Sequence, residues 1–203
     1  MKIFCVGRNY AAHAKELGNA VPDEPVIFMK PKSALLQSHT PFYYPEFTNE
    51  LHYEAEIVLR ICKNGRYIPE KHAPKYYNAI TLGIDFTARD LQDELKKKGL
   101  PWEKAKAWDN SAVVGKWLDV QPDLKRNDIR FRLTKNKETV QEGHTADMIF
   151  GFDHIVSHIS NYFSLNIGDL VFTGTPAGVG ECVVGDDFEG FIGDELLFEL
   201  SVK

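Results

Sequence analysis

The segment Leu51–Ile61 constrains the fold of this chain more than any other. Every second side chain along it, from Leu51 to Ile61, is apolar. This period of two is typical of a β-strand that buries one face. We therefore predict a single half-buried strand here, with Glu54 and Glu56 on the opposite, polar face.

Other segments add many strands and few helices. Further strands are predicted over Lys2–Val6, Val26–Met29, Asn78–Phe86, Ile129–Lys135, Glu138–Gln141, Leu170–Thr173, Glu181–Val184 and Glu195–Val202. Helices are predicted over Tyr10–Leu17 (capped by Asn9 and ended by Gly18-Asn19), from the N-cap Thr87, with Asp90 in a capping box, to Lys98, and over Met148–Phe163. Asn64-Gly65 and Asn136 are typical of hairpin turns. The pattern indicates the α+β class.

Length and charge narrow the classes of function. The chain has 203 residues, with 24 basic and 29 acidic side chains. It has no linker-like or low-complexity tract, so we predict one domain over residues 1–203. The acidic balance argues against nucleic acid as a partner, because phosphate contacts need clustered basic residues. The basic run Lys96–Lys98 is interpreted as the solvated end of a helix.

Targeting signals and cysteines indicate the compartment. The apolar run at the start is far too short for a signal peptide, and no window approaches the roughly 20 apolar residues of a membrane helix. The cysteines Cys5, Cys62 and Cys182 are odd in number and widely spaced. We therefore expect free thiols, no membrane partner, and a location in the cytoplasm or a similar reducing space.

Three carboxylates are candidates for a metal site. Glu54 and Glu56 share one strand face, with Cα atoms ~6.6 Å apart, and Asp85 lies near the end of an apolar strand. A divalent cation between neighbouring carboxylates removes their repulsion. The alternative is a solvated polar face, with Asp85 as a helix-start carboxylate. Oxygen ligands would suit Mg²⁺ or Mn²⁺ better than Zn²⁺.

These residues belong to a wider set of motifs. The motifs, in chain order, are Gly7-Arg8-Asn9-Tyr10 with His13, Lys30-Pro31 with Ser33, Leu51–Ile57, Gly83–Asp90, Lys104-Ala105-Lys106, Asp147–Phe150 and Phe172–Pro176. Together they resemble the fumarylacetoacetate hydrolase family over essentially the whole chain. The resemblance is to its short, single-domain members, which act as acylpyruvate hydrolases and as oxaloacetate decarboxylases or tautomerases.

The resemblance implies a fold, a cofactor and an assembly. It implies a mixed β-sheet roll with a few short helices, a homodimer, and a Mg²⁺ (or Mn²⁺) ion held by Glu54, Glu56 and Asp85. The implied substrate is a small 2-oxo acid.

The family resemblance also implies which residues are catalytic, where the residue types alone leave more than one choice. His13 and Glu16 are three apart on a helix, so their side chains can meet; without the resemblance a surface pair would be preferred. The resemblance makes them a water-activating pair on a lid. Lys104 and Lys106 are equivalent on chemical grounds, and the resemblance selects Lys106. Lys30 is interpreted as structural.

Four further residues are candidate substrate contacts. Arg89 and Gln92 are three apart on one helix face, and arginine suits a planar carboxylate; the alternative is an exposed face. The glycine-rich loop after Phe172 lacks the ending of a phosphate loop, which excludes nucleotide binding there. The resemblance makes Gly174 and Thr175 substrate contacts rather than parts of a plain turn.

The sequence thus predicts metal-dependent cleavage of a carbon–carbon bond in small 2-oxo acids. Acylpyruvates would give pyruvate and a carboxylate, and oxaloacetate would be decarboxylated or tautomerised. Two alternatives remain: an isomerase or decarboxylase of 2-hydroxy-diene diacids from aromatic degradation, and a metal-free binding protein that retains the fold.

Overall fold

The computed structural model describes residues 1–16, 18, 20–37, 40–121 and 124–203. Its strands are β1 (Ile3–Gly7), β2 (Val26–Lys30), β3 (Leu51–Tyr53), β4 (Ala55–Ile61), β5 (Tyr77–Asp85), β6 (Thr87–Ala88), β7 (Ala112–Val114), β8 (Leu118–Asp119), β9 (Arg130–Lys135), β10 (Glu138–His144), β11 (Leu170–Phe172), β12 (Gly180–Glu181), β13 (Asp187–Ile192) and β14 (Glu195–Ser201). Its α-helices are α1 (Ala11–Glu16), α2 (Arg89–Lys98), α3 (Glu103–Lys106) and α4 (Phe152–Tyr162).

The strands form three sheets. The largest has the order β2-β1-β11-β4-β5-β7, with β8 also paired to β5. It is mixed, because β1 and β11 run parallel while their other neighbours are antiparallel. A four-stranded sheet has the order β10-β9-β13-β14, and a small sheet joins β12, β3 and β6. The predicted α+β class is confirmed.

The predicted half-buried strand differs from the structure in two ways. The ladder breaks at Glu54, which separates β3 from β4. The polar face is not solvated, since Glu54, Glu56 and Val58 are all buried. The reason is that β4 lies between β11 and β5 in the middle of the largest sheet, with both faces covered.

The turn predicted at Asn64-Gly65 is also wrong. β4 and β5 do pair antiparallel, but residues 62–76 connect them. Gly65 instead bridges to Leu165, and a side chain at Gly65 would meet the ring of Tyr76 at 2.3 Å. By contrast, the hairpin at Asn136 is confirmed, with Asn136 and Lys137 at φ 53° and 70°.

Three predicted helices differ at their ends. Thr87 does not cap α2, because Thr87 and Ala88 pair with β3 as strand β6. Asp90 instead accepts hydrogen bonds from the Thr48 hydroxyl and the backbone N–H of Asn49. The predicted stop at Gly99 is confirmed, with left-handed φ 63°.

The helix predicted over Met148–Phe163 is only α4, which begins after Gly151. The preceding residues are held in extended backbone by Asn9, whose side chain bonds both the N–H and the C=O of Phe150. This side chain was predicted to cap α1. That helix ends at Glu16 within the described residues, and Gly18 has φ 64°; the predicted Leu17 and Asn19 lie outside them.

The second half holds three strands and one helix that were not predicted, namely β7, β8, β13 and α3. Of the predicted strand Glu181–Val184 only Glu181 belongs to β12. Cys5, Cys62 and Cys182 are free, as expected. None of the helices in the described ranges is long and apolar enough to span a membrane.

Candidate active site

Three buried carboxylates meet where the largest sheet joins the small one. Glu54 lies at the break between β3 and β4, Glu56 in β4, and Asp85 at the end of β5. The pairing of β4 with β5 brings Asp85 beside Glu54, and the Asp85 N–H donates to the Glu54 carbonyl at 2.8 Å. Ligand oxygens of all three side chains lie within 4.8 Å of one another.

Two buried cations form ion pairs with Glu54. The Lys106 ammonium lies 2.8 Å from Glu54 Oε2 and 2.8 Å from Asp85 Oδ2. Arg89 donates to Glu54 Oε1 at 2.5 Å and to the Gln92 side-chain oxygen at 2.5 Å. Burial acts to raise the pKa of Glu54, but Lys106 and Arg89 outweigh it and hold that pKa well below its ordinary value.

Glu56 has the opposite electrostatics. It lacks an ion-pair partner among the described residues and accepts one hydrogen bond, from the Gly174 N–H at 2.7 Å. Burial, followed by the negative charges of Asp85 and Glu54, raises the pKa of Glu56 well above its ordinary value. An added cation would reverse this, because it would favour the ionised carboxylate.

The residues present fit a hard divalent cation. All three groups offer carboxylate oxygens, which Mg²⁺ and Mn²⁺ prefer. Asp85 Oδ1 is buried and accepts no hydrogen bond within the described part of the chain. Lys30 Nζ lies 2.7 Å from it, but that ammonium donates to Ser111 Oγ, the Ser111 carbonyl and the Lys106 carbonyl. Asp85 Oδ1 therefore has an ion-pair contact with Lys30 but, in the part of the chain that the structure describes, no hydrogen bond, and it can still accept a bond to a metal ion.

His13 and Glu16 extend from α1 over the same region. His13 Nδ1 lies 3.3 Å from Glu16 Oε2, and the His13 side chain is buried. Burial lowers the pKa of His13, against the opposing influence of Glu54 and Glu16. The imidazole is therefore neutral at neutral pH and able to accept a proton. Glu16 also accepts the Gly178 N–H, at 3.1 Å to Oε1, which ties α1 to the glycine-rich loop.

That loop supplies Gly174 and Thr175. Gly174 has φ 101°, and a Cβ there would lie 2.6 Å from the Asn9 Cβ. Glycine is thus required both for the turn and for the approach of its N–H to Glu56. Thr175 is buried, and its hydroxyl accepts a hydrogen bond from Gln141 at 2.9 Å.

Most of the predicted residues face one pocket. Its lining includes His13, Glu54, Glu56, Asp85, Arg89, Gln92, Lys106 and Thr175. Glu16 and Gly174 contact residues that line the pocket: Glu16 lies against His13, and the Gly174 N–H donates to Glu56. The pocket is partly open to solvent.

Three residues near the triad have surroundings that the sequence did not predict. Lys30, interpreted as structural, is fully buried against Asp85, and its signal in the sequence is a lysine that ends an apolar run. Lys96 was read as solvated, yet it is half-buried and lines the pocket, four residues after Gln92 on the same helix face. No sequence signal marks Gln141, because its contacts are with residues far away in the chain.

Gln141 joins the two halves of the site. A bulge between Thr139 and Gln141 shifts the register of β10, and bulges of this kind re-aim side chains. The buried Gln141 amide accepts the Ala55 N–H at 2.9 Å and donates to Thr175 and to the Pro176 carbonyl. Ala55 stands between the two glutamates of the triad, so Gln141 links them to the glycine-rich loop.

Known proteins with similar sequences share a family. Oxaloacetate tautomerase FAHD1, mitochondrial, of Mus musculus is 40% identical over 201 residues, covering 99% of this chain and 91% of the mouse protein. Oxaloacetate tautomerase YcgM of Escherichia coli K12 is 40% identical over 187 residues, covering 92% of this chain and 85% of that protein.

Solved structures agree. Fumarylpyruvate hydrolase from Pseudomonas aeruginosa, in complex with Mn²⁺ and pyruvate, has a TM-score of 0.91 and 38% identity, covering 100% of this chain and 88% of that one. The 5-carboxymethyl-2-hydroxymuconate delta-isomerase from Mycobacterium smegmatis has a TM-score of 0.85 and 31% identity, covering 99% of this chain and 78% of that one. The family profile described as fumarylacetoacetate (FAA) hydrolase C-terminal matches residues 2–201. The chain belongs to the fumarylacetoacetate hydrolase family and has its fold.

Proposed function

We propose that the protein is a divalent-metal-dependent enzyme that hydrolyses acylpyruvates to pyruvate and a carboxylate, and that also tautomerises or decarboxylates oxaloacetate. The observation that carries the proposal is the convergence of three buried carboxylates with a neutral, buried histidine in one pocket. The names of the similar proteins support a small 2-oxo acid as substrate.

The metal ligands would be Glu54, Glu56 and Asp85. When bound there, Mg²⁺ or Mn²⁺ would supply a Lewis acid that polarises the 2-oxo group and offsets enolate charge. The Mn²⁺ in the fumarylpyruvate hydrolase structure supports a divalent ion but does not distinguish the two metals.

The surrounding side chains would orient the substrate. Arg89 already donates to Gln92, so its planar guanidinium is held in one orientation towards the pocket. Lys106 places a positive charge beside the triad, where it can stabilise an enolate oxygen. Thr175 offers a hydroxyl fixed by Gln141. Gly174 would act through Glu56 and the shape of the loop.

His13 would act as the general base for hydrolysis. It would take a proton from a water molecule that attacks the distal carbonyl of the acylpyruvate, and Glu16 would orient the ring and stabilise its charged form. When the carbon–carbon bond breaks, its electron pair passes to carbon 3 of pyruvate as the enolate. A proton returned to that carbon completes pyruvate, and the water oxygen remains in the new carboxylate.

Oxaloacetate would react in the same pocket without the water-activating pair. Tautomerisation moves one proton between carbon 3 and the oxygen on carbon 2, and decarboxylation releases carbon dioxide and leaves the pyruvate enolate without attack by water. The names of the mouse and E. coli relatives favour tautomerisation among these. An isomerase of 2-hydroxy-diene diacids is the second candidate, supported by the likeness to the muconate isomerase.

The test is turnover of acetylpyruvate and oxaloacetate by the purified protein with Mg²⁺, with Mn²⁺ and with EDTA. We expect metal-dependent loss of acetylpyruvate with formation of pyruvate, and metal-dependent equilibration of oxaloacetate. His13→Ala should remove acetylpyruvate hydrolysis and spare oxaloacetate turnover. Absence of metal-dependent turnover of both substrates would refute the proposal and favour a binding protein.

The homodimer and the reducing compartment stay predictions. Light scattering coupled to size-exclusion chromatography would give the assembly directly. A monomer at micromolar concentration would contradict the first prediction.

A further inference from the structure

Two cations line the pocket without a proposed role. Arg8 and Lys96 both face it, and neither forms an ion pair with a carboxylate of the residues that the structure describes. Arg89 and Lys106, by contrast, are both paired with Glu54. The pocket therefore contains positive charge that its own carboxylates leave unmatched.

Helix α2 directs Lys96 towards the pocket. Arg89, Gln92 and Lys96 lie on one helix face, and all three line the pocket. The next residue, Lys97, is exposed. Burial and the nearby charges of Arg89 and Arg8 lower the pKa of Lys96, against the opposing influence of Asp93 and Glu54.

Arg8 is held by unusual backbone geometry. Its φ of 61° lies in the left-handed region, which non-glycine residues seldom occupy. Such conformations cluster at functional sites, where the surrounding structure holds them in place. Here the turn follows β1 directly and places Arg8 in the lining of the pocket.

An aromatic wall separates the two lysines. Lys106 Nζ lies 5.2 Å from the Phe28 ring, the Phe28 and Trp102 rings are 6.0 Å apart, and Lys96 Nζ lies 5.8 Å from the Trp102 ring. Phe28 and Trp102 line the same pocket. The two rings therefore form an apolar wall of the pocket between the two lysines.

We propose that Arg8 and Lys96 form a subsite for a second carboxylate, so that the pocket selects 2-oxo acids charged at both ends. The proposal rests on the proposed function in one respect, since it places the 2-oxo end at the triad. Four cationic side chains line the pocket against three carboxylates, and a bound divalent ion adds to that excess. A dianion neutralises more of it than a monoanion does.

The test compares oxaloacetate with acetylpyruvate, which ends in an uncharged methyl group, for Lys96→Gln and for the matched control Lys97→Gln. We expect Lys96→Gln to lower kcat/KM for oxaloacetate roughly tenfold or more, mainly through KM, because a hydrogen bond between charged groups is lost. Acetylpyruvate should change by less than about twofold. Lys96→Arg should restore most of the loss, and Lys97→Gln should match the wild type.

An equal loss for both substrates, or no loss for oxaloacetate, would overturn the subsite. If the wild type turns over neither substrate, the proposed function fails, and binding then decides the subsite. Calorimetry with malate and lactate, which differ by the same distal carboxylate, should show tighter binding of malate that Lys96→Gln removes. Equal binding of the two acids by the wild type would overturn the subsite.

Discussion

Replacing Gln141 tests how a residue outside the pocket holds the site together. Its side chain fills three hydrogen-bonding roles at once, towards the Ala55 N–H, the Thr175 hydroxyl and the Pro176 carbonyl. It is 2% exposed, so water does not readily replace those bonds. We predict that Gln141→Ala lowers both stability and substrate affinity.

The magnitude follows from the groups left behind. An unsatisfied buried N–H at Ala55 costs about 1–3 kcal/mol. The Pro176 carbonyl loses one donor, worth about 0.5–1.5 kcal/mol, whereas the Thr175 hydroxyl can rotate to another acceptor. The sum is about 1.5–4.5 kcal/mol, and in a chain of this size 1 kcal/mol shifts Tm by roughly 2–4 °C. We therefore expect Tm to fall by about 3–18 °C.

The assay is thermal unfolding followed by circular dichroism, with exposed Gln121→Ala as the control. Steady-state kinetics on the folded variant should show a raised KM, because Thr175 loses its fixed orientation. A decrease in Tm no larger than that of Gln121→Ala would refute the assignment of Gln141 as a positioning residue.

Three further perturbations follow from the charges. Burial lowers the pKa of His13, so the rate of hydrolysis should decline only below about pH 6.5, the ordinary histidine value. The free energy of unfolding should fall over the same pH range, because the unfolded chain binds the proton at a higher pH than the folded one. A pH–rate profile with its acid limb above pH 7 would contradict this. Glu56→Gln should raise Tm of the metal-free protein, since it removes a repelled buried charge, yet weaken Mn²⁺ binding at least about tenfold by calorimetry; unchanged affinity would exclude Glu56 as a ligand. Lys30→Met should lower the free energy of unfolding, measured with denaturant, by about 3–5 kcal/mol, because Asp85 loses a buried partner. The exposed control Lys32→Met should change it little. Equal decreases for the two variants would show that the Lys30–Asp85 pair contributes nothing to stability.

The local sequence predicted the strands that carry the site but not their surroundings. Alternation placed Glu54 and Glu56 on one face, and the apolar run before Asp85 placed that residue at a strand end. Alternation alone also predicted that this face is solvated, which is wrong. Burial depends on what packs above a strand, and that information lies in distant segments.

The same limit explains why the surroundings of Lys30, Gln141 and Lys96 were not predicted. Lys30 contacts Asp85 and Ser111, and Gln141 contacts Ala55 and Thr175. No period relates residues so far apart in the chain. Lys96 differs in that its relation to Gln92 is local in the sequence. Helical spacing indicates that the two residues share a face, but it does not say whether that face points to the pocket or to solvent.

The sequence by itself predicted the α+β class and the family, and the family resemblance singled out the three carboxylates. The class depends on short-range spacing and the resemblance on short motifs in order along the chain, and both can be recognised without the packed structure. The tertiary structure decided which charges are paired, which are buried without a partner, and which lysine of the run 96–98 reaches the pocket. Those properties depend on desolvation and on Coulomb interactions across the sheets, which exist only once distant strands are packed together.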